Sequence, residues 1–279
     1  MDIAYEILAG EAYSHDSDCM DDGGPACASQ MTVAYRLLCT LVCVLFIQVT
    51  FEYFVLKYFT GPWVSKSLTK SVPKSPYLIE KIFGVIQIVE LLCQIYSKSH
   101  GHRLIFLLNP CHAVTLLQAY CLLSKSSGLN KKIFIITIAN TWCAEIALLF
   151  PTPGNLPLKY DYLLFHAEHY LTGIIVPFLL ILAGRYTARY QFNWRAIYFG
   201  YQFFTLYQRL VLSNISMLTW ANMNFTLCAA TTDPFYPTIG NNYYYLAEFY
   251  LFILSITSTY LWLSLSYILR PSLFKLKAS

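Results

Sequence analysis

Seven blocks of apolar residues, each near the length that crosses a bilayer, constrain this chain more than any other feature. A transmembrane helix needs about 20 predominantly apolar residues. The blocks lie at roughly 33–59, 77–97, 103–124, 132–150, 162–184, 195–219 and 243–268. Helix breakers separate several of them: Gly61, Pro62, Pro73 and Pro76 after the first, Pro151, Pro153, Gly154 and Pro157 after the fourth, and Pro234 and Pro237 before the last;. The pattern predicts an all-α polytopic integral membrane protein, a bundle of about seven transmembrane helices in one domain over 33–270. Charged residues make up only 12% of the chain, about half the share in a soluble domain.

The flanks and loops set an orientation. Residues 1–32 are acidic, with Asp2, Glu6, Glu11, Asp16, Asp18, Asp21 and Asp22, and lack a basic stretch leading into an apolar core. This is not the pattern of a cleaved signal peptide. The segment reads as a disordered tail, and 271–279 as a short tail after Pro271. Loops one, three and five and the C-terminal tail carry fourteen Lys and Arg, and the opposite loops carry three (Lys98, Arg103, Lys159). The positive-inside rule then places the N-terminus on the lumenal or extracellular side and the C-terminus in the cytosol. No basic stripe or motif for nucleic acid is present. The nine cysteines do not read as a disulfide framework. Six lie in apolar runs, where free Cys behaves as a small hydrophobe; Cys19, Cys27 and Cys228 lie outside them.

Within the third block stands Asn109-Pro110-Cys111-His112. Reactive groups at membrane depth are costly and point to function. If the helix ran through Pro110, the missing N–H would leave the carbonyl of Phe106 unpaired and loosen the turn. On the expected orientation Cys111 sits roughly 12 Å below the outer surface and His169 roughly 10 Å. Glu90, Gln94, Asn140, Glu145, Asn214 and Glu248 fall in the same half, whereas Arg209 lies deeper and Arg36 opens the first block. A polar pocket in the outer half of the bundle follows; a ring of headgroup-contacting side chains is the plainer reading of Glu90, Glu168 and Glu248. His166, His169 and Gly173 share one helix face. Cys111, Thr115 and Gln118 share another on their own helix, with Asn109 and His112 on a second stripe. Glu168 points about 100° from His169, where it would orient an imidazole on a neighbouring helix or reach interfacial water.

A thiol becomes an effective nucleophile when a base removes its proton, and His is the usual base. Cys111 and His169 are the expected pair. His112 is the poorer base from its place round the helix, and either it or Asn109 is a candidate donor to an oxyanion. His166-x-x-His169 with His112 or Cys111 is a candidate zinc set, but no established zinc signature is present. A seven-span receptor is disfavoured because span three lacks an Asp-Arg-Tyr ending and span seven an Asn-Pro-x-x-Tyr. A transporter would suit Arg209 and the pocket, yet no internal repeat is visible.

The stretch Asn109-Pro110-Cys111-His112 through Thr115 and Gln118, the run from His169 to Val176-Pro177, and Asn222-Met-Asn224 through Cys228 to Asp233-Pro234-Phe235 resemble the transmembrane protein 164 family. The likeness covers about 33–270. The family is related to a bacterial seven-span integral-membrane group and, more distantly, to membrane lipid hydrolases that use Thr and His. The resemblance implies a phospholipid acyltransferase moving a polyunsaturated chain from phosphatidylcholine to a lyso-ether phospholipid. Cys111 would accept the acyl group, His169 would act as base, and Asn109, His112 and His166 would support them. No metal or cofactor is implied, and an endomembrane such as the endoplasmic reticulum is the expected location. A membrane lipid hydrolase, or a non-enzymatic receptor or transporter, is the alternative.

Overall fold

The computed structural model describes residues 20–50, 75–101, 103–151, 159–182, 185–186, 194–240 and 243–269. The first loop, most of the loop after span four, the bulk of loop five and the C-terminal tail lie outside the described residues, as does the side chain of Glu248. The elements are α1 (Pro25–Ser29), α2 (Val33–Thr50), α3 (Leu78–His100), α4 (Pro110–Leu123), α5 (Gly128–Ala139), α6 (Trp142–Leu149), α7 (Lys159–Tyr170), α8 (Val176–Leu182), α9 (Trp194–Leu206), α10 (Ser213–Thr219), α11 (Tyr236–Ile239) and α12 (Tyr243–Leu269). Wider π turns join α7 to α8 at Leu171–Ile175 and α9 to α10 at Tyr207–Leu212. Among the described residues there is no strand, only one bridge between Gly23 and Ala221. The protein is all-α.

Among the described residues, three helical segments are long and apolar enough to cross a membrane: Val33–Thr50, Gly128–Leu149 and Tyr160–Ile181. Helix α3 shows membrane character in a different way. Its buried face carries Glu80, Gly84, Gln87, Glu90, Gln94 and Ser97 at three- and four-residue spacing. Its exposed face carries Leu78, Ile79, Ile82, Val85, Val89 and Leu92. A water-soluble helix reverses that arrangement. Polar groups turned inward and Leu, Ile and Val turned outward suit a lipid surround.

Inward polar groups require partners. Gln87 donates to Gln118 Oε1 at 2.9 Å, and Gln118 donates to the carbonyl of Thr172 at 2.9 Å. The hydroxyls of Thr115 and Thr172 meet at 2.6 Å. Thr172 lies in the π turn, where carbonyls are displaced from their usual helical partners, and Gln118 satisfies one of them. Gly173 lets the same turn approach α6: an added Cβ would stand 3.1 Å from that of Ala144. At the other end of α4, Arg185 is 3% exposed. It donates to both Glu80 oxygens at 2.7 and 2.8 Å and to the carbonyls of Ser124 and Cys121. One of the fourteen loop cations is thus a structural clamp on the end of α4.

The third span is not a continuous helix. Leu104–Leu108 forms a 3-10 segment, Asn109 is extended (φ −58°, ψ 144°), and Pro110 is the first residue of α4. The carbonyl of Phe106 accepts from Asn109 N at 3.0 Å. The expectation of an unpaired Phe106 carbonyl is therefore corrected. A residue before proline is pushed out of helical geometry, and proline is favoured at a helix start. The fourth span breaks similarly at Asn140-Thr141, where Asn140 donates to the carbonyls of Ile136 and Gly200.

Residues 20–32, expected in a disordered tail, are folded; residues 1–19 lie outside the described residues. Cys27 forms a disulfide with Cys228; both belong to the three cysteines that lie outside the apolar runs, and one bond is not a framework. Gly24 N donates to Trp220 O, Asn222 N donates to Asp22 O, and Asp22 pairs with Arg103. Gly23 has φ +119°, and a Cβ there would lie 2.1 Å from Trp220 O, so only glycine fits. Arg36 is 1% exposed and donates to the carbonyls of Ala28, Met31, Thr226 and Leu227. It ties the start of α2 to both partners of the disulfide loop.

Candidate active site

The Thr115–Thr172 contact fixes the geometry of the site. Cys111 is four residues before Thr115 and Glu168 four before Thr172, so each lies one turn nearer the helix start on the same stripe. The stripe of Cys111, Thr115 and Gln118 therefore faces the π turn, and Cys111 comes beside Glu168. A Cys111 sulfur, a His112 ring nitrogen and a Glu168 carboxylate oxygen lie within 4.8 Å of one another.

These groups open onto a cavity of about 440 Å³. Its polar wall includes Gln94, Lys98, Asn109, Cys111, His112, Glu168 and His169; Phe106, Trp142, Ile146, Phe165, Leu251 and Leu254 form much of its apolar wall. Asp21 and Asp22 of the folded N-terminal segment and Asn222, Asn224 and Phe225 of the loop after α10 also line it. The disulfide thus holds two parts of the cavity wall together.

Both cavity histidines have an oxygen close to Nδ1. His112 Nδ1 stands 2.5 Å from Glu168 Oε1, an ion-pair contact off the line of a hydrogen bond, with His112 5% and Glu168 1% exposed. His169 Nδ1 stands 2.6 Å from the carbonyl of Phe165. A carbonyl only accepts, so His169 Nδ1 carries the hydrogen and Nε2 of the neutral ring is bare. Glu168 receives a second hydrogen bond from Gln94 at 3.4 Å, and Gln94 also donates to Glu90 at 2.9 Å.

Asn109 has two faces. Its Oδ1 accepts from the backbone N–H of Asn224 at 3.1 Å. That orientation leaves the amide Nδ2 hydrogens for the cavity. Cys111 occupies the second position of α4, where the positive end of the helix dipole favours negative charge.

Of the residues expected from the sequence, the structure brings Cys111, His169, Asn109 and His112 to one cavity. His166 does not line it. Its ring packs against Tyr162 with centroids 4.2 Å apart, and Nδ1 meets the Tyr162 carbonyl at 2.9 Å. The expected His166-His169 zinc pair is therefore not assembled. Cys111, His112 and Glu168 are the nearest approach to a metal set. The 2.5 Å between His112 and Glu168 is a hydrogen-bond distance, shorter than the roughly 3.3 Å between two ligands on one tetrahedral zinc. Glu168 was the residue underestimated from sequence. The signal was its four-residue spacing to Thr172, mirrored by Cys111 and Thr115.

No solved structure matches this chain. A transmembrane protein 164 homolog of Dictyostelium discoideum is 29% identical over 183 residues, 65% of this chain. The match likewise spans 65% of that relative's length. The model of the TMEM164 family matches residues 28–265. That stretch begins one residue after Cys27 and holds Cys228 together with Asn109, Cys111, His112, Glu168 and His169, and the chain belongs to the TMEM164 family.

Proposed function

We propose that this protein is a membrane phospholipid acyltransferase that works through an acyl-cysteine. The observation that carries the reading is a thiol at a helix start, in a mixed polar and apolar cavity, with two imidazoles and a buried carboxylate around it. Cys111 Sγ bonds to the carbonyl carbon of a donor ester, and the ester C–O bond breaks. The thiol proton passes through an imidazole to the departing lysolipid oxygen; His169 is that base in the reading from sequence. A lysophospholipid hydroxyl then attacks the thioester, the C–S bond breaks, and the proton returns to sulfur by the same route. Asn109 Nδ2 donates to the oxyanion in both halves. The apolar wall takes the acyl chain. Phosphatidylcholine as donor of a polyunsaturated chain and a lyso-ether phospholipid as acceptor are the substrates that the family resemblance implies.

The bundle of about seven spans, with the cavity toward the lumenal or exoplasmic leaflet, belongs to this proposal. Disulfides persist in oxidising compartments, and Cys27–Cys228 lies on the side that the Lys and Arg split assigns to the lumen. An endoplasmic-reticulum or other endomembrane location suits both.

The test is covalent capture. Purified protein incubated with phosphatidylcholine should carry a hydroxylamine-sensitive acyl mass on the Cys111 peptide, and added lysophospholipid should discharge it. Cys111→Ala should abolish both adduct and transfer. Acyl exchange that survives in Cys111→Ala and in Cys111→Ser would overturn the assignment, and discharge to water alone would make the protein a hydrolase.

A further inference from the structure

We infer that His112 takes the thiol proton of Cys111 and that Glu168 is the positioning residue that prepares it. The inference rests on the acyl-cysteine reading for its purpose, but its geometry stands separately. A carboxylate oxygen stands 2.5 Å from Nδ1, off the line of the ring N–H, and its charge favours the tautomer with the hydrogen on that nitrogen. Nε2 of neutral His112 is then bare and can accept a proton. When it does, the imidazolium faces a carboxylate directly. His169 has only a neutral carbonyl at its Nδ1, which stabilises a charged ring less. His112, not His169, is also the ring grouped with the sulfur.

The carboxylate is itself held. Gln94 donates to Glu168 and Glu90 through one amide nitrogen, so α3 fixes Glu168 against α4. Nucleophile, imidazole and carboxylate in contact recur on unrelated folds, recognised by geometry and roles rather than by sequence order. Here all three come from two parallel helices, and two of them are adjacent in sequence. The step balances: the S–H bond breaks, an N–H bond forms at Nε2, and that proton leaves on the lysolipid oxygen. The charged and titratable groups facing the dyad and its thiol are Glu90 and Lys98 of α3, His169 of α7, Cys143 of α6 and Tyr207 of the second π turn, while Asp161 and Arg103 act on Lys98.

The test needs no lipid substrate. Full-length protein in nanodiscs is treated with iodoacetamide across roughly pH 6 to 10, and alkylation of the Cys111 peptide is timed by mass spectrometry. Glu168→Gln and His112→Gln should each slow alkylation near neutral pH by about a hundredfold, the scale of a positioned acid–base group. Both should converge on wild type at alkaline pH, where the thiol ionises unaided. The double variant should be no slower than His112→Gln, because Glu168 acts only through His112. Gln94→Ala should give a smaller loss and serves as a second probe if Glu168→Gln does not fold. The loss in His169→Gln should be smaller than in His112→Gln. A wild-type profile in Glu168→Gln or, where that variant does not fold, in Gln94→Ala would overturn the inference. So would a loss confined to His169→Gln, or a wild-type Cys111 inert at neutral pH. An active, dyad-dependent Cys111 without an acyl adduct would sink the acyl-transfer reading and leave this one standing.

Discussion

The side-chain oxygen of Asn109 accepts a hydrogen bond from the backbone N–H of Asn224 at 3.1 Å. This contact joins two stretches 115 residues apart in sequence, and both line the cavity. Asn224 and Phe225 have φ of 46° and 56°, so the loop they form is held in a left-handed turn that ordinary side chains disfavour. Asn109 supplies one of the contacts that keeps it there.

Asn109 thus has separable roles, and two substitutions split them. Asn109→Asp keeps an oxygen for Asn224 N–H but loses the Nδ2 donor. It should fold normally and lose about a hundred- to a thousandfold in kcat, the usual result of removing one oxyanion donor. Asn109→Ala should show the same kinetic loss and also a lower thermal midpoint. Full activity in Asn109→Asp would remove the donor role.

Pro110 should matter for stability more than for chemistry. It begins α4, and the carbonyl of Phe106 is already satisfied by Asn109 N. Pro110→Ala adds no helical bond to Phe106 unless Asn109 also turns helical. The substitution should cost about 0.5–1 kcal/mol, mainly by freeing the unfolded chain. Acyl exchange should stay within about tenfold of wild type. A hundredfold loss at unchanged stability would mean that the break at Asn109 positions Cys111.

The Asp22–Arg103 pair makes a pH prediction with an unexpected sign. Burial pushes the Asp22 carboxyl above the usual value of 3.8, and Arg103 only partly offsets it. A raised acid binds its proton more tightly in the folded state. Its contribution to stability therefore improves as pH falls through the raised folded value toward 3.8, and is least favourable at neutral pH. Asp22→Asn should be neutral or slightly stabilising at pH 7 and should flatten that part of the pH–stability curve. A clear destabilisation at pH 7 that salt weakens would show the ion pair outweighing burial.

Much of the architecture was legible because bilayer length and helix breakers are local properties of the chain. Helices occupy all seven expected blocks where residues are described, and Cys111 and His169 reach one cavity. What escaped was non-local or stereochemical. The Cys27–Cys228 bond closes over 201 residues, and no spacing announces such a pairing. The break at Asn109 follows from Pro110 at a helix start rather than inside one, two positions that look alike in an apolar run. Glu168 was legible only in part. Its angle from His169 was correct, but the decisive comparison was with Thr172, whose partner Thr115 had to be located first.

Removing the disulfide should loosen the cavity wall without dismantling the bundle. Disulfides typically stabilise by roughly 2–4 kcal/mol, and the chain-entropy relation gives about 5 kcal/mol for a loop of 201 residues;. Cys27→Ser should lower the thermal midpoint and raise protease sensitivity in the N-terminal segment and the loop after α10. The transmembrane helices should remain protected. Non-reducing peptide mapping should find Cys27 linked to Cys228 in wild type. Free thiols at both positions in protein taken directly from membranes would remove the bond from the native state.

Sidedness links the charge pattern to this bond and can be tested with both. The proposed orientation, drawn from the fourteen-to-three split of Lys and Arg, has the C-terminus in the cytosol and the N-terminus opposite it;. Cys27 and Cys228 are joined, so the N-terminal segment and the loop after α10 must face the same compartment. An odd number of spans lies between a tag at residue 1 and one at residue 279 if the bundle has seven helices. In sealed microsomes an impermeant reagent should reach the C-terminal tag at once and the N-terminal tag only after the membrane is opened. After reduction, Cys228 should label with the N-terminal tag and not with the C-terminal one. Cys111 lies eight residues after Arg103 and His169 seven after Tyr162, about 12 and 10 Å along their helices, so both would sit in the lumenal half and draw on lumenal-leaflet lipid. If both tags label from one side, the span count is even and this assignment of the leaflet fails.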